Sequence, residues 1–427
     1  MTDFYTALSA SEKRSPLERE QAHFEALPRQ VRHARQSTDA FAEILQGVDA
    51  MTVTNRATLA QLPVTRKTEL LDRQKAVRSA AASQAAAGDV FGGFSNLKFG
   101  EHMLRVFASP GTIYEPEGTR KDYWRAARAL SAAGFKAGDL IHNCFSYHFT
   151  PAGAMMESGA HALGCTVFPA GTGQTEQQVQ AMAELKPAGY VGTPSFLKII
   201  LEKAAEMGVA LPSVTKALVS GEACPPSLRD WFAEHGVQAY QCYATADLGL
   251  IAYETSAREG LVLDEGVIVE IVRPGTGDPV PEGEVGELVV TSLNPDYPLI
   301  RFGTGDLSAV LPGACPTGRT NTRIKGWLGR ADQTTKIRGM FVHPGQINTI
   351  AKRFPEVIKA RLVVTGEMAN DTMTLQVETA CSGPDALAAK IGEAIRDVTK
   401  LRGDVELVAP GSLPNDGRVI EDARSYK

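Results

Sequence analysis

The stretch Glu287–Leu307, ELVVTSLNPDYPLIRFGTGDL, is where the reading of this 427-residue chain begins. Its first five residues are β-branched enough for a short strand. Asn294-Pro-Asp-Tyr-Pro298 is turn chemistry, with two prolines and an Asx residue. Leu299–Asp306 then reads as a second strand that ends in a carboxylate flanked by glycines. A ligand can approach such a carboxylate closely, and it can accept two hydrogen bonds from a sugar diol. Read alone, Asp306 also fits an ordinary Gly-Asp turn.

Working outward, composition narrows the options. A chain of this length calls for two domains or more. It carries 44 basic and 49 acidic side chains, net −5, so charge makes no case for nucleic acid or an anionic membrane as partner. With no apolar leader and no long apolar run, the expectation is a cytoplasmic protein without a membrane span. The six cysteines are scattered without any Cys-x-x-Cys spacing and read as reduced, mostly buried residues.

From 122 to 219 the chain alternates helix-period and strand-like segments. The expected order is a helix at Asp122–Ala133, a strand at Gly138–His142, a helix at Pro151–Leu163, and strands at Cys165–Phe168, Gly189–Val191 and Ala217–Val219. The helices Gln174–Leu185 and Pro194–Met207 fall between. That alternation predicts a parallel sheet covered on both faces, with ligands beyond the carboxyl ends of its strands. Tyr147, Gly192, Ser220–Ala223 and Cys242-Tyr243 would then share one rim. Residues 1–60 read as helical, a packing arm with apolar positions at Phe24, Leu27, Val31, Phe41 and Leu45. Glu265–Val290 reads as hairpins forming a small distorted barrel. Beyond Met340 the pattern is a small α+β unit with a helix from Gln346, strands Lys359–Thr365, Thr372–Glu378 and Val405–Val408, and a helix Pro384–Leu401. The fold class is therefore α/β: a large N-terminal part of parallel-rich sheets and a small C-terminal α+β part.

LIRFGTGDL, followed by GRTNTRIKGWLGRADQTTKIRG at 318–339, resembles the paired signature of the adenylate-forming (acyl-CoA synthetase) superfamily, closest to its phenylacetate-CoA ligase branch. The likeness runs from about Pro63 to Arg418. It implies a large nucleotide- and acyl-binding domain over 1–331 and a small mobile lid domain over 332–427. It implies ATP, Mg2+ and CoA as cofactors. The reaction it implies joins a carboxylic acid, aromatic or arylacetic, to AMP and then to CoA.

Site residues follow from the same likeness. Asp306 falls at the ribose-binding aspartate and Arg330 at an arginine that contacts ribose or phosphate. Gly221, Glu222 and Ala223 fall at the adenine-contacting turn, and Tyr243 at the aromatic that stacks on adenine. Asp247 takes the place of a magnesium-binding glutamate, with capping of a following helix as its plainer reading. Tyr147 and Phe149, with Gly192, would wall the acyl pocket, although Phe149 reads equally well as a core residue. Asp332 falls at the hinge between domains, and Gly339 where room is left for the pantetheine arm of CoA.

Three positions depart from the family pattern. The phosphate loop over 107–118 is thinned to Ser109, Gly111 and Thr112 and lacks its lysine, though Lys121 follows; a plain surface turn is the alternative. Ala246 stands where the family has threonine. Arg418 stands where a catalytic lysine ends the final loop, and a planar fork replaces a compact ammonium there. Three outcomes remain open: an acid–CoA ligase, an adenylating enzyme that passes its acyl group to a carrier-protein thiol or an amine, and a nucleotide- or CoA-binding homologue without turnover. Oligomeric state is open too, a homodimer included.

Overall fold

The computed structural model describes residues 10–81, 89–331, 333, 335–338, 340–342, 344–366, 371–380, 384–414 and 418–424. The chain divides into two compact units, Met1–Gly329 and Arg330–Lys427.

In the first unit, nine strands form one sheet, in the order Val310–Leu311, Arg323–Ile324, Leu261–Leu263, Gly249–Tyr253, Gln238–Thr245, Lys216–Val219, Gly189–Gly192, Leu140–Asn143 and Thr166–Phe168. The last five run parallel. Their residues are the near-continuous apolar runs that a doubly covered parallel sheet requires: Ile141, Val191, Ala217, Leu218, Val219 and Ala239 are all buried. Helices cross between them, including Ala152–Leu163 and Pro194–Glu206. The Pro194 helix starts with proline at its first position and the Thr193 hydroxyl accepting from the Phe196 N–H, a favourable N-terminus. Strand order reverses beside Leu140–Asn143. The chain passes from it to Thr166–Phe168 on one side, then returns to Gly189–Gly192 on the other. In open parallel sheets that reversal opens a crevice at the carboxyl ends of the two strands.

One expected helix is shorter than the sequence suggests. Asp122 and Arg125 adopt positive φ, of 51° and 64°, and the helix runs only from Ala127 to Ala132. The Asp122 carboxylate accepts from the Ala127 N–H at 3.2 Å, so the residue read as the helix start caps it from five residues away.

A second sheet holds the quoted stretch. Its order is Thr65–Arg66, Phe302–Ser308, Gly286–Ser292 and Val267–Val272. It is open, so the barrel expected over Glu265–Val290 does not form as a closed one. Its core is shared with the N-terminal arm: Leu27, Val31, Ala34 and Phe41 pack with Ile268, Val290, Leu299 and Phe302. The arm's helix Pro16–Ser37 begins with a capping box between Ser15 and Glu18. Its polar face is also used inward. His23 shares a hydrogen bond with the Glu265 carbonyl, Arg19 pairs with the Glu265 carboxylate at 2.8 Å, and Gln30 donates to the carbonyls of Ser292 and Asn294.

Arg301, within the quoted stretch, is 2% exposed. Its guanidinium makes a bidentate pair with Glu270 at 2.9 and 3.1 Å. It also donates to the carbonyls of Ala60, Leu62 and Gly277. Its backbone sits at φ 46°, a left-handed conformation that costs a non-glycine residue about 1–3 kcal/mol. The side-chain network holds the backbone there.

In the second unit, four strands run in the order Asp404–Val408, Thr372–Glu378, Lys359–Thr365 and Ile420–Asp422. Helices Pro344–Lys352 and Pro384–Thr399 bring Ile347, Ile350 and Ile391 into a core with Leu362, Val364, Leu375 and Val377. The central strands keep the bounds read from sequence. The second helix ends two residues earlier than expected.

Arg301→Ala leaves a buried carboxylate and three carbonyls without their donor, and is expected to destabilise the first unit by about 3–5 kcal/mol in urea unfolding. Unchanged unfolding would show that the guanidinium is not what holds this sheet to the arm.

Candidate active site

The thinned phosphate loop is the tip of a two-stranded hairpin, Met103–Ser109 with Ile113–Gly118. Thr112 N–H donates to the Ser109 carbonyl at 3.1 Å, closing the turn, and Gly111 and Thr112 both take positive φ. Ser109 is buried, and its hydroxyl donates inward to Glu115 at 2.6 Å. The chain direction just beyond the turn is set by the helix Lys67–Ala81. Gln74 exchanges two hydrogen bonds with the backbone of Tyr114, at 2.8 and 2.9 Å. Arg78 donates to the Thr112 carbonyl at 3.0 Å, with its guanidinium over the Tyr114 ring.

Lys121 does not replace the missing loop lysine. It follows Gly118 at the opposite end of the hairpin, roughly 16 Å from the turn at about 3.3 Å per residue. There it lines a surface cleft of about 360 Å3 with Arg105, Glu117 and Glu157. The cation that does reach the loop's acid cluster is Lys67, at the head of the neighbouring helix.

Lys67 Nζ donates to Asp247 Oδ2 at 2.9 Å. Asp247 lies in the turn between Gln238–Thr245 and Gly249–Tyr253, so no helix follows for it to cap. Burial, and then the charge of Asp247, push the Glu115 carboxyl up to about 8, with Lys67 acting in the opposite direction. Asp247 Oδ1 and Glu115 Oε2 are both buried without a hydrogen-bond partner among the described residues.

The quoted stretch supplies the second group. Asp306 accepts from the Tyr243 hydroxyl at 2.6 Å and from Trp327 Nε1 at 3.0 Å. The sequence placed Tyr243 and Asp306 in one site without the bond between them, and Trp327 went unread. The neighbouring turn is tied in through Ser220, whose hydroxyl donates to the Cys242 carbonyl at 2.8 Å. Gly221, Glu222 and Ala223 follow at the carboxyl end of Lys216–Val219, beside the strand that carries Tyr243. Gly221 has φ 80°, and Glu222 accepts from the Ser195 hydroxyl at 2.5 Å.

Tyr147 and Gly192 fall at the two strand ends where the sheet reverses. Asn143 donates to the Tyr147 hydroxyl at 2.8 Å, and that hydroxyl donates to Glu157 at 2.8 Å. Burial, with Glu157 beside it, raises the phenol above its usual range and keeps it protonated. Gly192 has no room for a side chain, since a Cβ there would lie 2.2 Å from the Tyr190 hydroxyl. Phe149 is 78% exposed at φ 60°, which removes the core reading given to it above.

In the second unit, Arg330 is half-buried at its start. Arg418 is exposed, just before the strand Ile420–Asp422, and Val419 N–H donates to Gln333 Oε1 at 2.8 Å. Asp332 and Gly339 lie outside the described residues.

Lys67, Glu115, Trp327, Asn143 and Glu157 were missed in the sequence. Lys67 heads the helix Lys67–Ala81, and Glu115 belongs to the loop read as thinned. Nothing in their spacing announces that Lys67 pairs with Asp247 or that the charge of Asp247 bears on Glu115. Asn143 and Glu157 sit four before and ten after Tyr147, a local spacing that could have flagged them.

Residues 120–294 match the family described as AMP-binding enzyme, and residues 339–422 match the AMP-binding enzyme C-terminal domain. The phenylacetate-coenzyme A ligase of Thermus thermophilus is 30% identical, over 91% of this chain and 92% of its own. That of Aromatoleum evansii is 31% identical, over 87% of this chain and 84% of its own. Among solved structures, 2-hydroxyisobutyryl-CoA ligase in complex with 2-HIB-AMP and CoA matches in fold with a TM-score of 0.79, at 24% identity, covering 97% of this chain and 91% of its own.

In buffer stripped of metal ions, Glu115 gives stability a particular pH dependence. Unfolded, it titrates near 4.5; folded, near 8. The folded chain therefore holds a proton that the unfolded one has lost, and this contribution, complete below 4.5, fades as pH rises toward 8. Urea unfolding across that window is expected to show the decline in the wild type and a flatter profile in Glu115→Gln. Parallel profiles would show that Glu115 is ionised throughout.

Proposed function

We propose the reaction from one premise: the chain belongs to the AMP-binding enzyme family, in its phenylacetate-coenzyme A ligase branch. It activates a carboxylic acid with ATP to an acyl-adenylate, releases pyrophosphate, and passes the acyl group to CoA, releasing AMP. The acid is aromatic or arylacetic. The observation that carries this reading is the bond between Tyr243 and Asp306, because it sets an aromatic ring and a diol-accepting carboxylate side by side at the carboxyl ends of the sheet.

A carboxylic acid is a poor acyl donor because its oxygen leaves badly; adenylation makes that oxygen the bridge of a mixed anhydride, from which AMP departs readily. Binding follows from residues already placed. Asp306 accepts the ribose hydroxyls, with Tyr243 and Trp327 fixing its two oxygens against rotation. The Tyr243 ring stacks on adenine, and the backbone at Gly221–Ala223 borders the base. Tyr147 and Gly192 border the acid at the sheet's reversal, with Phe149 beyond them. Arg330 and Arg418 are two of the second unit's cationic residues, Arg418 taking the charge that builds as carboxylate attacks the α-phosphate. Such a donor is worth about 100- to 1,000-fold in rate.

Mg2+ fits Asp247, which has one buried oxygen without a partner, and the ion would neutralise phosphate charge there. Lys67, Arg78 and the backbone of the Ser109–Thr112 turn provide the remaining positive character on that side.

ATP–pyrophosphate exchange over a panel of benzoic, arylacetic, indolic and aliphatic acids tests the reading. Exchange is expected with an aromatic class, followed by CoA-dependent release of AMP. Exchange without CoA-dependent product would favour a carrier-protein thiol or an amine as acceptor. ATP binding without exchange for any acid would favour a homologue without turnover. Arg418→Ala is expected to lower exchange by about 100- to 1,000-fold with ATP binding retained, and equal exchange would remove its role. Trp327→Phe keeps the ring but loses the donor to Asp306, and weaker AMP binding by equilibrium dialysis is the expected result.

A further inference from the structure

In the second unit, Thr335–Ile337 and Met340–Val342 form a hairpin in which Ile337 pairs with Met340, so two residues join the strands. The first of them, Arg338, has φ 46°, a left-handed conformation that a non-glycine residue keeps only where its surroundings impose it. Two residues at one end of this unit's sheet do so. Asp371 stands just before Thr372–Glu378, and Arg424 two residues after Ile420–Asp422. Those ends coincide, since Thr372 pairs with Thr365 and Asp422 with Val364.

Asp371 divides its carboxylate between two partners. Oδ2 accepts from the Arg338 N–H at 3.1 Å, and Oδ1 pairs with the Arg424 guanidinium at 3.1 Å. The Arg338 side chain donates back to the Asp371 carbonyl at 3.1 Å and to the Arg402 carbonyl at 3.0 Å. Arg424 donates to the Lys336 carbonyl at 2.9 Å, to the Thr335 hydroxyl at 3.0 Å and to Asp422 at 2.8 Å. The Arg424 and Asp371 side chains are only 10% and 12% exposed, so salt screens their pairing little. Apolar packing does not reach as far. Ile337 and Val342 are buried in the unit's core, but Met340, beside the turn, is exposed. The core anchors the strands, and the ion pair sets the turn.

We infer that Asp371 and Arg424 are positioning residues for acyl transfer: they fix the turn at Arg338 so that CoA is admitted beside it, and take no part in adenylation. This rests on the reading of CoA as acceptor proposed above, and on Gly339, next in sequence after Arg338, as the place where the family likeness leaves room for the pantetheine arm. Backbone that borders so thin a passage tolerates little displacement. Lys336 and Arg338 also lend the hairpin positive charge, which suits an anionic acceptor such as CoA.

The test measures the two half-reactions separately on the full-length protein, with the acid that best supports exchange. One is ATP–pyrophosphate exchange without CoA; the other is single-turnover transfer from preformed acyl-adenylate to CoA. A displacement of about 1 Å near reacting atoms can cost about 100-fold, so Arg424→Ala is expected to slow transfer by about that factor and to keep exchange within about twofold of wild type. Asp371→Asn keeps an acceptor for the Arg338 N–H while losing the charge that holds Arg424, and is expected to slow transfer less. Circular dichroism establishes that each variant is folded; if Arg424→Ala does not fold, Asp371→Asn carries the comparison. Transfer at the wild-type rate in the variants overturns the inference. An equal fall in both half-reactions also overturns it, because that is the mark of a general loss of structure. Failure of the underlying reading shows instead in the wild type, which would form no adenylate or pass none to CoA, and the inference falls with it.

Discussion

The buried guanidinium of Arg301 is the constraint on which the first unit depends. A charge in the interior is tolerable only when each of its donors is met. Here the acceptors come from three places: the Glu270 carboxylate on one strand, the Ala60 and Leu62 carbonyls at the end of the N-terminal arm, and the Gly277 carbonyl in a turn. Satisfying one side chain therefore fixes how the arm meets the sheet. Arg301's own carbonyl accepts from Thr65 N–H, so the short strand Thr65–Arg66 takes its register from the same residue. Lys67 follows at once. The position of the lysine that pairs with Asp247 is in this way set by an arginine that never touches it.

The active-site side of the sheet shows the same reliance on neighbours. The loop over 107–118 carries neither the lysine nor the row of hydroxyls that its family pattern calls for, and its one serine hydroxyl turns inward to Glu115. Positive character comes instead from the adjacent helix, through Lys67 and Arg78. Charge around the turn is a property of packing between segments, not of the loop taken alone.

Much of the fold was legible because periodicity reports burial directly. The strands Lys359–Thr365 and Thr372–Glu378 were read to the residue, since each is a β-rich run bounded by turn residues. The Asp122 helix was misjudged at its start because apolar spacing does not reveal positive φ at Asp122 and Arg125. The expected barrel failed for a related reason. Turn-rich sequence announces hairpins, but closure depends on which edges pair, and that is decided by distant residues such as Thr65. Within the candidate site, Tyr243, Asp247 and Asp306 were singled out because they stand in motifs. Their partners were not. Trp327 and Glu115 matter through contacts that no local spacing encodes.

Gly192 draws one consequence from all this. A single methyl group there would meet the Tyr190 hydroxyl, which itself donates to the Thr193 carbonyl and has nowhere to retreat. The floor of the crevice at the sheet's reversal is thus closed to drift by point substitution. The wall is not: Phe149 is exposed on a loop and can change without disturbing the core. Under the proposed function, descendants of this chain would acquire new acids by altering the wall residue by residue. Remodelling the floor would need two simultaneous changes, a much rarer event.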